Sequence, residues 1–246
     1  MEDSRALVRI PLLEPSPLTP YREWIEERWE PHDNFALLSE GDDVDGNVAI
    51  VYGPVTPQDF FEAARRFYGD AGFAVLVESE TAAPVEERLR ADGWRLDEEE
   101  IAMVLEPIPD APASPPELDI RPVTSDGGYE DFMTVVPGNR EWIPSLKAAT
   151  DPRVALFVGY VDDQPVATAR LTCFPGVCEI LGVTTLEPWR RRGYGEALTW
   201  AATQEGRQRG CPTAILTATE MGYSVYLRMG FREVCAYRTY LPPASA

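Results

Sequence analysis

Histidine and lysine are almost missing from this 246-residue chain, which contains one of each, His32 and Lys147. A Ser–His–Asp triad needs a histidine beside its nucleophile, and a zinc site needs several nitrogen or sulfur ligands. The single histidine, which we interpret as a loop residue, supplies too little for either. The cysteines lack the spacing of metal ligands, so we predict no metal site.

Cysteine is also scarce, and all four residues lie in the second half of the chain. Cys173 and Cys178 flank a turn predicted at residues 174–177, where two strands would form a hairpin. They either face each other across that hairpin as a bonded pair or remain buried thiols. We favour the reduced form, in which buried cysteines behave as small apolar side chains.

Long apolar runs are absent. No run approaches the roughly 20 residues that a helix needs to span a bilayer. The opening residues, Met1-Glu-Asp-Ser-Arg, do not resemble a signal peptide. We therefore expect a cytoplasmic protein without a membrane partner.

Positive charge is in short supply, with 22 basic against 41 acidic residues and a formal charge of −19. Binding to nucleic acid needs a basic stripe, so we expect no nucleic acid partner. The imbalance is concentrated in residues 1–116, which hold 26 acidic and 9 basic residues, whereas residues 117–246 hold 15 and 13. An acidic half fits a cationic substrate, and it also fits simple solubility.

Proline divides the sequence. Five prolines fall within residues 107–116, where they favour extended backbone and remove hydrogen-bond donors. We interpret this segment as a semi-rigid linker between an acidic domain, residues 1–106, and a second domain, residues 117–246.

The most informative segment runs from Glu179 to Gly195. An apolar strand leads through a proline into the pattern Arg-x-x-Gly-x-Gly, and a helix follows without a break. The two glycines allow backbone N–H groups to approach a bulky anion, and the helix N-terminus adds its positive dipole. Three consecutive arginines add side-chain charge: Arg190, Arg191 and Arg192. The pattern predicts a phosphate-binding turn that is neither a P-loop nor a dinucleotide fingerprint.

A second segment follows a predicted strand at residues 213–217. It reads Tyr223-Ser-Val-Tyr226-Leu-Arg-Met-Gly230-Phe231 and is typical of a short helix closed by glycine. In order and spacing the two segments resemble motifs A and B of the GCN5-related N-acetyltransferase (GNAT) superfamily, namely [Gln/Arg]-x-x-Gly-x-[Gly/Ala] and Tyr-x-x-x-Gly-Phe.

The resemblance covers about residues 117–243 and implies an α/β fold, a mixed twisted sheet flanked by helices. In this family the strand before the loop splays from the strand after the helix, and the pantetheine arm of coenzyme A pairs with the exposed backbone. The coenzyme A site that it implies comprises Val183, Thr184, Thr185, Arg190, Arg191, Arg192, Gly193, Tyr194, Gly195 and Glu220. Many relatives have asparagine near Glu220, so that contact departs from the family pattern.

The resemblance also implies catalytic residues. Tyr226 corresponds to the family's general acid, which protonates the leaving thiolate, although a tyrosine there could instead anchor the helix. Tyr223, one turn earlier, is a weaker substitute. Glu179 lies fourteen positions before Gly193 and resembles the strand glutamate that activates the amine in histone acetyltransferases. It could also be a solvated charge at a strand start; Glu141 is a further carboxylate expected near the mouth.

The first half resembles a degenerate copy of the second. Residues 73–79 followed by 84–94 repeat the strand, helix and Gly-aromatic pair of residues 213–231, with Leu89 in the place of Tyr226. The segment 53–57 has no Arg-x-x-Gly-x-Gly, so we expect no coenzyme A site there. Near the N-terminus, a stripe of four side chains predicts an amphipathic helix: Tyr21, Trp24, Ile25 and Trp29.

Together these features predict an acetyl-CoA-dependent N-acetyltransferase that acts on a primary amine of a small, cationic molecule. Acetyl-CoA would serve as the acyl donor, without a metal, and a homodimer is possible. Two other functions stay open: a tandem acetyltransferase of thiol metabolism similar to mycothiol synthase, and a non-catalytic acyl-CoA sensor.

Overall fold

The computed structural model of the chain describes residues 2–14, 16–21, 28–40, 44, 46–136, 138 and 143–243. Three residues considered above, Trp24, Ile25 and Glu141, lie outside these ranges.

The described residues of the first half form three α-helices and five strands. In chain order they are α1 (Glu2–Leu13), β1 (Arg28–Pro31), β2 (Phe35–Ser39), β3 (Asn47–Val51), α2 (Pro57–Tyr68), β4 (Ala74–Glu78), α3 (Ala83–Ala91) and β5 (Arg95–Leu105). The helix α2 begins at a capping threonine, Thr56, whose hydroxyl accepts a hydrogen bond from the Asp59 N–H at 3.2 Å.

The second half adds an edge strand and repeats the same order. Its elements are β6 (Asp119–Pro122), α4 (Asp126–Val135), α5 (Leu146–Ala149), β7 (Val154–Val161), β8 (Gln164–Phe174), β9 (Val177–Thr185), α6 (Tyr194–Gln208), β10 (Thr213–Ala218), α7 (Glu220–Met229) and β11 (Arg232–Leu241). Asp162 and Asp163 both have positive φ in the β7–β8 turn, as a tight hairpin requires.

The strands of the described residues form one sheet in the order β1-β2-β3-β4-β11-β5-β10-β9-β8-β7-β6. The pairs β3–β4 and β9–β10 are parallel, and the other pairs are antiparallel. This architecture confirms the mixed α/β sheet predicted from the sequence.

The two halves exchange their last strands. The first half's β5 pairs with β10 of the second half, and the second half's β11 pairs with β4 of the first. In the middle of the sheet, β5 and β11 pair with each other through nine residue pairs. Backbone ladders therefore join the halves, and the division into domains at residues 107–116 stays a prediction.

The order three strands, helix, strand, helix, strand occurs twice, from β1 to β5 and from β7 to β11. This repeat agrees with the repeated pattern in the sequence. Leu89 on α3, which takes the place of Tyr226 on α7, is fully buried in the first half's core.

The sheet has two differently covered faces. Helices α2, α3, α6 and α7 cover one, which we call the α6 face, with core clusters that include Phe60, Leu198 and Tyr226. Helices α1, α4 and α5 cover the other, the α1 face, where Val8 packs among side chains of β5, β9, β10 and β11. The alternation of side chains along each strand sorts residues between these faces.

The helix α1 is held to the sheet by charge as well as by apolar packing. The carboxylate of Glu78, whose side chain is fully buried at the end of β4, accepts two hydrogen bonds from Arg9, at 2.6 and 2.7 Å, and one from Arg5 at 3.3 Å. A buried carboxylate is stable only when it is paired in this way.

One feature differs from the sequence predictions. Trp29 does not continue a helix from Tyr21: Tyr21 ends a short 3₁₀ turn, 19–21, and Trp29 lies in strand β1. The helical spacing of these aromatics was misleading because extended strands also bury large side chains on one face. The proline-rich segment runs along α6, with Ile108 buried in the core and the Pro109 carbonyl accepting from Gln204 at 2.8 Å.

No helix among the described residues combines the length and the apolar character that crossing a membrane requires.

Glu78→Gln should lower the free energy of unfolding by about 2–3 kcal/mol, because it leaves Arg9 without its carboxylate in a partly buried position. Urea unfolding of the full chain would measure this. Glu80→Gln is the matched control, since Glu80 bonds the same Arg5 but its side chain is 79% exposed, and it should cost under about 1 kcal/mol. Equal effects would contradict the role given to Glu78.

Candidate active site

The parallel strands β9 and β10 separate shortly after they meet. Three residue pairs join them: the first is Val177 of β9 with Thr213 of β10, and the last is Glu179 with Ile215. Beyond Glu179, β9 continues to Thr185 and pairs with β8. The ends of β9 and β10 therefore leave a gap in the sheet, as predicted for the pantetheine arm. The backbone groups of Val183, Thr184 and Thr185 lie on this part of β9.

A β-bulge explains why β9 turns away. Arg170 of β8 pairs with Leu181 of β9, and Thr168 pairs with Thr184. Between these two pairs β9 contains one more residue than β8, so the register shifts. Gly182 has φ of +56°, a conformation that glycine adopts readily, and its carbonyl accepts a hydrogen bond from the buried Thr168 hydroxyl at 3.1 Å. The bulge bends β9 and opens the gap.

The Arg-x-x-Gly-x-Gly segment forms a turn ahead of α6. Arg191 and Gly193 have φ of +65° and +81°, and the first helical hydrogen bond runs from the Ala197 N–H to the Gly193 carbonyl at 3.0 Å. The N–H groups at the start of α6 thus have no partner within the helix, the arrangement that binds anions. A Cβ at Gly195 would lie 3.4 Å from the Thr185 hydroxyl, so glycine keeps the space beside β9 open.

The side chains of this turn have different roles. Arg190 donates to the Thr185 carbonyl at 3.1 Å, which ties the turn to the end of β9, and Arg192 lies over the Trp189 ring. Arg191 is exposed. Tyr194 is buried and donates to Glu117 at 3.0 Å, so its side chain belongs to the core and only its backbone faces the turn.

Tyr226 lies on α7, buried on the α6 face. Its hydroxyl interacts with Thr199 of α6, and its ring packs edge-on against Phe231 at 5.9 Å between centroids. Gly222, one turn earlier, makes room for the ring, since a Cβ there would lie 2.8 Å from it. Burial raises the pKa of Tyr226, and the bond with Thr199 opposes that shift. The phenol therefore stays protonated at neutral pH.

Glu179 lies on β9 with its side chain on the α1 face. Burial raises the pKa of its carboxyl to about 7, while the charge of Arg170 on the neighbouring strand acts in the opposite direction. The carboxylate of Glu100, from the first half's β5, raises it further. A carboxyl with a pKa near 7 can take and release protons at physiological pH, as a general base must.

A cavity of about 230 Å³ opens beside Glu179 on the α1 face, and we call it the central cavity. Its wall combines Glu179 and Leu181 of β9 with the end of α1 and with first-half strands that contribute Leu38 and Val48. In the sheet, β3 and β9 are separated by four other strands. Both line this cavity, so the sheet must curl around α1.

Glu220 lies elsewhere. It lines a second cavity of about 280 Å³, beyond the end of β10, together with Tyr223, Ala218 and the first half's Glu99. Tyr223 bonds to Glu233 rather than to Thr199. The position of Glu220 near the end of β10 agrees with its predicted neighbourhood, and its contact with coenzyme A stays a prediction.

Cys173 and Cys178 lie opposite each other on β8 and β9, and the four cysteines are free thiols. Burial raises the pKa of Cys173 to about 12, which keeps the thiol in its unreactive protonated form. Among the described residues, no group of histidine, cysteine and acidic side chains is arranged to hold a metal ion.

Sequence reasoning missed Gly182 and Thr168, which form the bulge, and Gly222, which leaves room for the Tyr226 ring. A glycine inside an apolar strand was the available signal for Gly182, because it commonly marks a bulge. Nothing in the local sequence pointed to α1 or to the first-half side chains of the central cavity.

The comparisons with known proteins agree with this geometry. Residues 122–231 match the sequence profile of the Acetyltransferase (GNAT) family. No curated protein matches the chain.

Solved structures share the fold over nearly the whole chain. A GCN5-related N-acetyltransferase from Kribbella flavida has a TM-score of 0.76 at 21% identity, covering 98% of this chain and 96% of that one. One from Sphaerobacter thermophilus has a TM-score of 0.62 at 18% identity, with 93% and 87% covered. A tandem GNAT protein from the clavulanic acid biosynthesis pathway has a TM-score of 0.60 at 12% identity, with 86% and 79% covered. At these identities the likeness concerns the fold.

Gly182→Ala should weaken coenzyme A binding about tenfold or more, because a side chain disfavours the positive φ that holds the bulge and the gap open. Isothermal titration calorimetry would measure the affinity. Gly176→Ala is the matched control: Gly176 has φ of +81° in the β8–β9 turn, with nothing within 4 Å of an added Cβ. If both variants bind coenzyme A as the unmodified chain does, the bulge is not what opens the site.

Proposed function

We propose that the protein is an acetyltransferase of the GNAT type, whose family profile residues 122–231 match, and that it transfers an acetyl group from acetyl-CoA to a primary amine of a small, cationic molecule. The observation that carries this proposal is the gap between β9 and β10. On the α6 face this gap is flanked by the turn before α6 and by Tyr226, and on the α1 face it is flanked by Glu179. A donor and an acceptor can therefore reach one point from opposite sides of the sheet.

The residues of the α6 face fit coenzyme A. The positive-φ turn and the free N–H groups of α6 suit the pyrophosphate, and the space that Gly195 leaves beside Thr185 lets it approach closely. The unpaired end of β9 offers backbone groups to the amides of pantetheine. In the first half β3 and β4 pair along Val48–Val51, which leaves no such gap there.

Acetyl-CoA, when bound, supplies a thioester: a C–N bond to the amine replaces its C–S bond, and the thiol of coenzyme A leaves. The attacking amine must be neutral, because an alkylammonium with a pKa of about 10 has no free lone pair. Glu179, on the acceptor side, takes that proton. Tyr226, on the donor side, gives one to the departing sulfur. The nitrogen loses a second proton to solvent as it becomes an amide, Tyr226 takes one back from solvent, and Glu179 releases the one that it holds.

The acidic first half supports a cationic acceptor. It contributes part of the wall of the central cavity, including Glu14 and Glu40, next to Glu179. A negative wall concentrates cations at the entrance. In this proposal residues 1–106 act as a degenerate GNAT-like domain that closes the acceptor site of residues 117–246. A homodimer and a cytoplasmic location stay predictions.

A non-catalytic acyl-CoA sensor would have the same turn and gap. The buried, protonated Tyr226 and the Glu179 carboxyl, whose pKa is about 7, favour an enzyme, since simple binding of acyl-CoA requires neither. The tandem layout alone does not favour the thiol metabolism of mycothiol synthase. Thiol release from acetyl-CoA that depends on an added amine would separate the enzyme from the sensor.

Tyr226→Phe should lower kcat about 100-fold and leave the affinity for acetyl-CoA unchanged, because it deletes the proton donor and keeps the ring. Steady-state kinetics with calorimetry would show both. Tyr223→Phe is the matched control, since Tyr223 lies on the same helix but bonds to Glu233, and its kcat should not change. A wild-type kcat for Tyr226→Phe, with chemistry limiting, would make Tyr226 structural.

Glu179→Gln should remove the acidic limb of the pH profile. With Glu179 as base, kcat/KM should rise with pH through about 7, as the carboxyl ionises, and level off above it. The variant should lose about 100-fold at pH 7 and keep gaining activity toward the pKa of the amine. An unchanged profile would exclude Glu179 as the base.

A further inference from the structure

We propose that the acceptor is a primary monoamine that carries one compact apolar group, such as a phenylalkyl or a branched alkyl amine. It would bind in the central cavity with its ammonium at Glu179. This inference rests on the proposed acetyl transfer and adds the class of acceptor.

The walls of the central cavity are largely apolar. The apolar part includes Leu12 of α1, Leu38, Val48 and Ile50 of the first-half strands, and Phe174 and Leu181 of β8 and β9. The polar part comprises Glu14, Ser16, Glu40, Arg170, Thr172 and Glu179. Side chains from both halves and from α1 thus surround one space. An apolar body placed there loses water from the surface that contacts these apolar side chains, which stabilises binding by roughly 25 cal/mol per Å² of buried apolar area.

The Glu179 carboxyl has a defined position in this cavity. Glu179 lies beside Leu181 on β9, the strand that borders the gap, so a cation at Glu179 is next to the site of acetyl transfer. Arg170, the cation of the described lining, is on the adjacent strand and already lowers the pKa of Glu179. Three carboxylates against one guanidinium leave the lining negative, which favours an ammonium over an anion.

The volume limits the acceptor to a small molecule. An apolar cavity of about 150 Å³ holds one benzene ring. At about 230 Å³, the central cavity has room for such a ring and an aminoalkyl arm of a few atoms. Most ligand pockets are larger, about 300–1,000 Å³.

Other amines suit this wall less well. An aminosugar would bury hydroxyl groups against leucine, valine and phenylalanine, and each unpaired polar group costs about 1–3 kcal/mol. A peptide could place only part of its length in a cavity of this size.

An acceptor panel tests the class directly. Thiol release from acetyl-CoA by the full chain would be compared for phenethylamine, isopentylamine, putrescine, spermidine, glucosamine and a short peptide. The two apolar monoamines should have kcat/KM at least about tenfold above the others, the discrimination that a hydrophobic pocket provides. Preference for putrescine, spermidine, glucosamine or the peptide would overturn the inference and leave acetyl transfer intact.

Two substitutions at Val48 test whether the acceptor binds in the central cavity. Val48→Phe should raise the KM for phenethylamine about tenfold by filling the space, whereas Val48→Ala should shift preference toward the longer phenylbutylamine. Coenzyme A affinity should stay constant in both. Val55→Phe is the matched control, because Val55 is a half-buried first-half valine that packs in the α2 core and not at the cavity. An unchanged KM in both Val48 variants would overturn the inference.

Binding separates this inference from the proposed function. If coenzyme A binds but no amine releases thiol, acetyl transfer to amines is wrong. Calorimetric titration of phenethylamine into the coenzyme A-loaded protein then still tests whether the central cavity binds this class of amine. If the unmodified chain binds phenethylamine and Val48→Phe binds it more weakly, the proposed acceptor site is supported. If the unmodified chain does not bind phenethylamine, the proposal is overturned.

Discussion

The hydrogen bond from the Thr168 hydroxyl to the Gly182 carbonyl holds the bulge on which the rest of the site depends. Parallel strands normally continue side by side, and β9 and β10 begin that way, but the extra residue turns β9 aside after three pairs. The consequence is a hole in an otherwise continuous sheet. Because side chains alternate along β9, the same strand presents Ile180 to the α6 face and Glu179 to the α1 face, so the hole joins two chemically different environments.

The exchange of last strands makes the acidic half part of this site. Strand β5 supplies the partner of β10 on the side away from the gap, and its Glu100 accepts a hydrogen bond from Thr217 at 3.3 Å and raises the pKa of Glu179. Strand β11, in turn, completes the first half's sheet beside β4. Neither half has its full set of strand partners alone. Residues 1–106 therefore contribute to the geometry and the charge around Glu179, although the segment 53–57 lacks the Arg-x-x-Gly-x-Gly pattern.

The sequence predicted most of the second half because its local signals agree with one another. The glycine pattern, the helix after it and the Gly230-Phe231 ending each required a particular backbone, and each element is found. It did not predict α1, in which Pro11 interrupts the helical pattern, nor the burial of Glu78, which reads as an ordinary charge at a strand end. It misassigned Trp29. The burial of Glu78 depends on contacts between residues some seventy positions apart, and Trp29 lies in a strand because β1 pairs with β2. Helical spacing of side chains encodes neither.

The two halves show how one layout can serve two purposes. In the first half β3 and β4 remain paired from Val48 to Val51, and Leu89 fills the core where Tyr226 stands in the second. Without a gap, the α1 face of β3 is a closed apolar surface. That surface, through Val48 and Ile50, closes the cavity next to the gap of the other half. The continuous pairing of β3 with β4 is thus what provides an unbroken wall for the cavity, since a gap at β3 would open that wall.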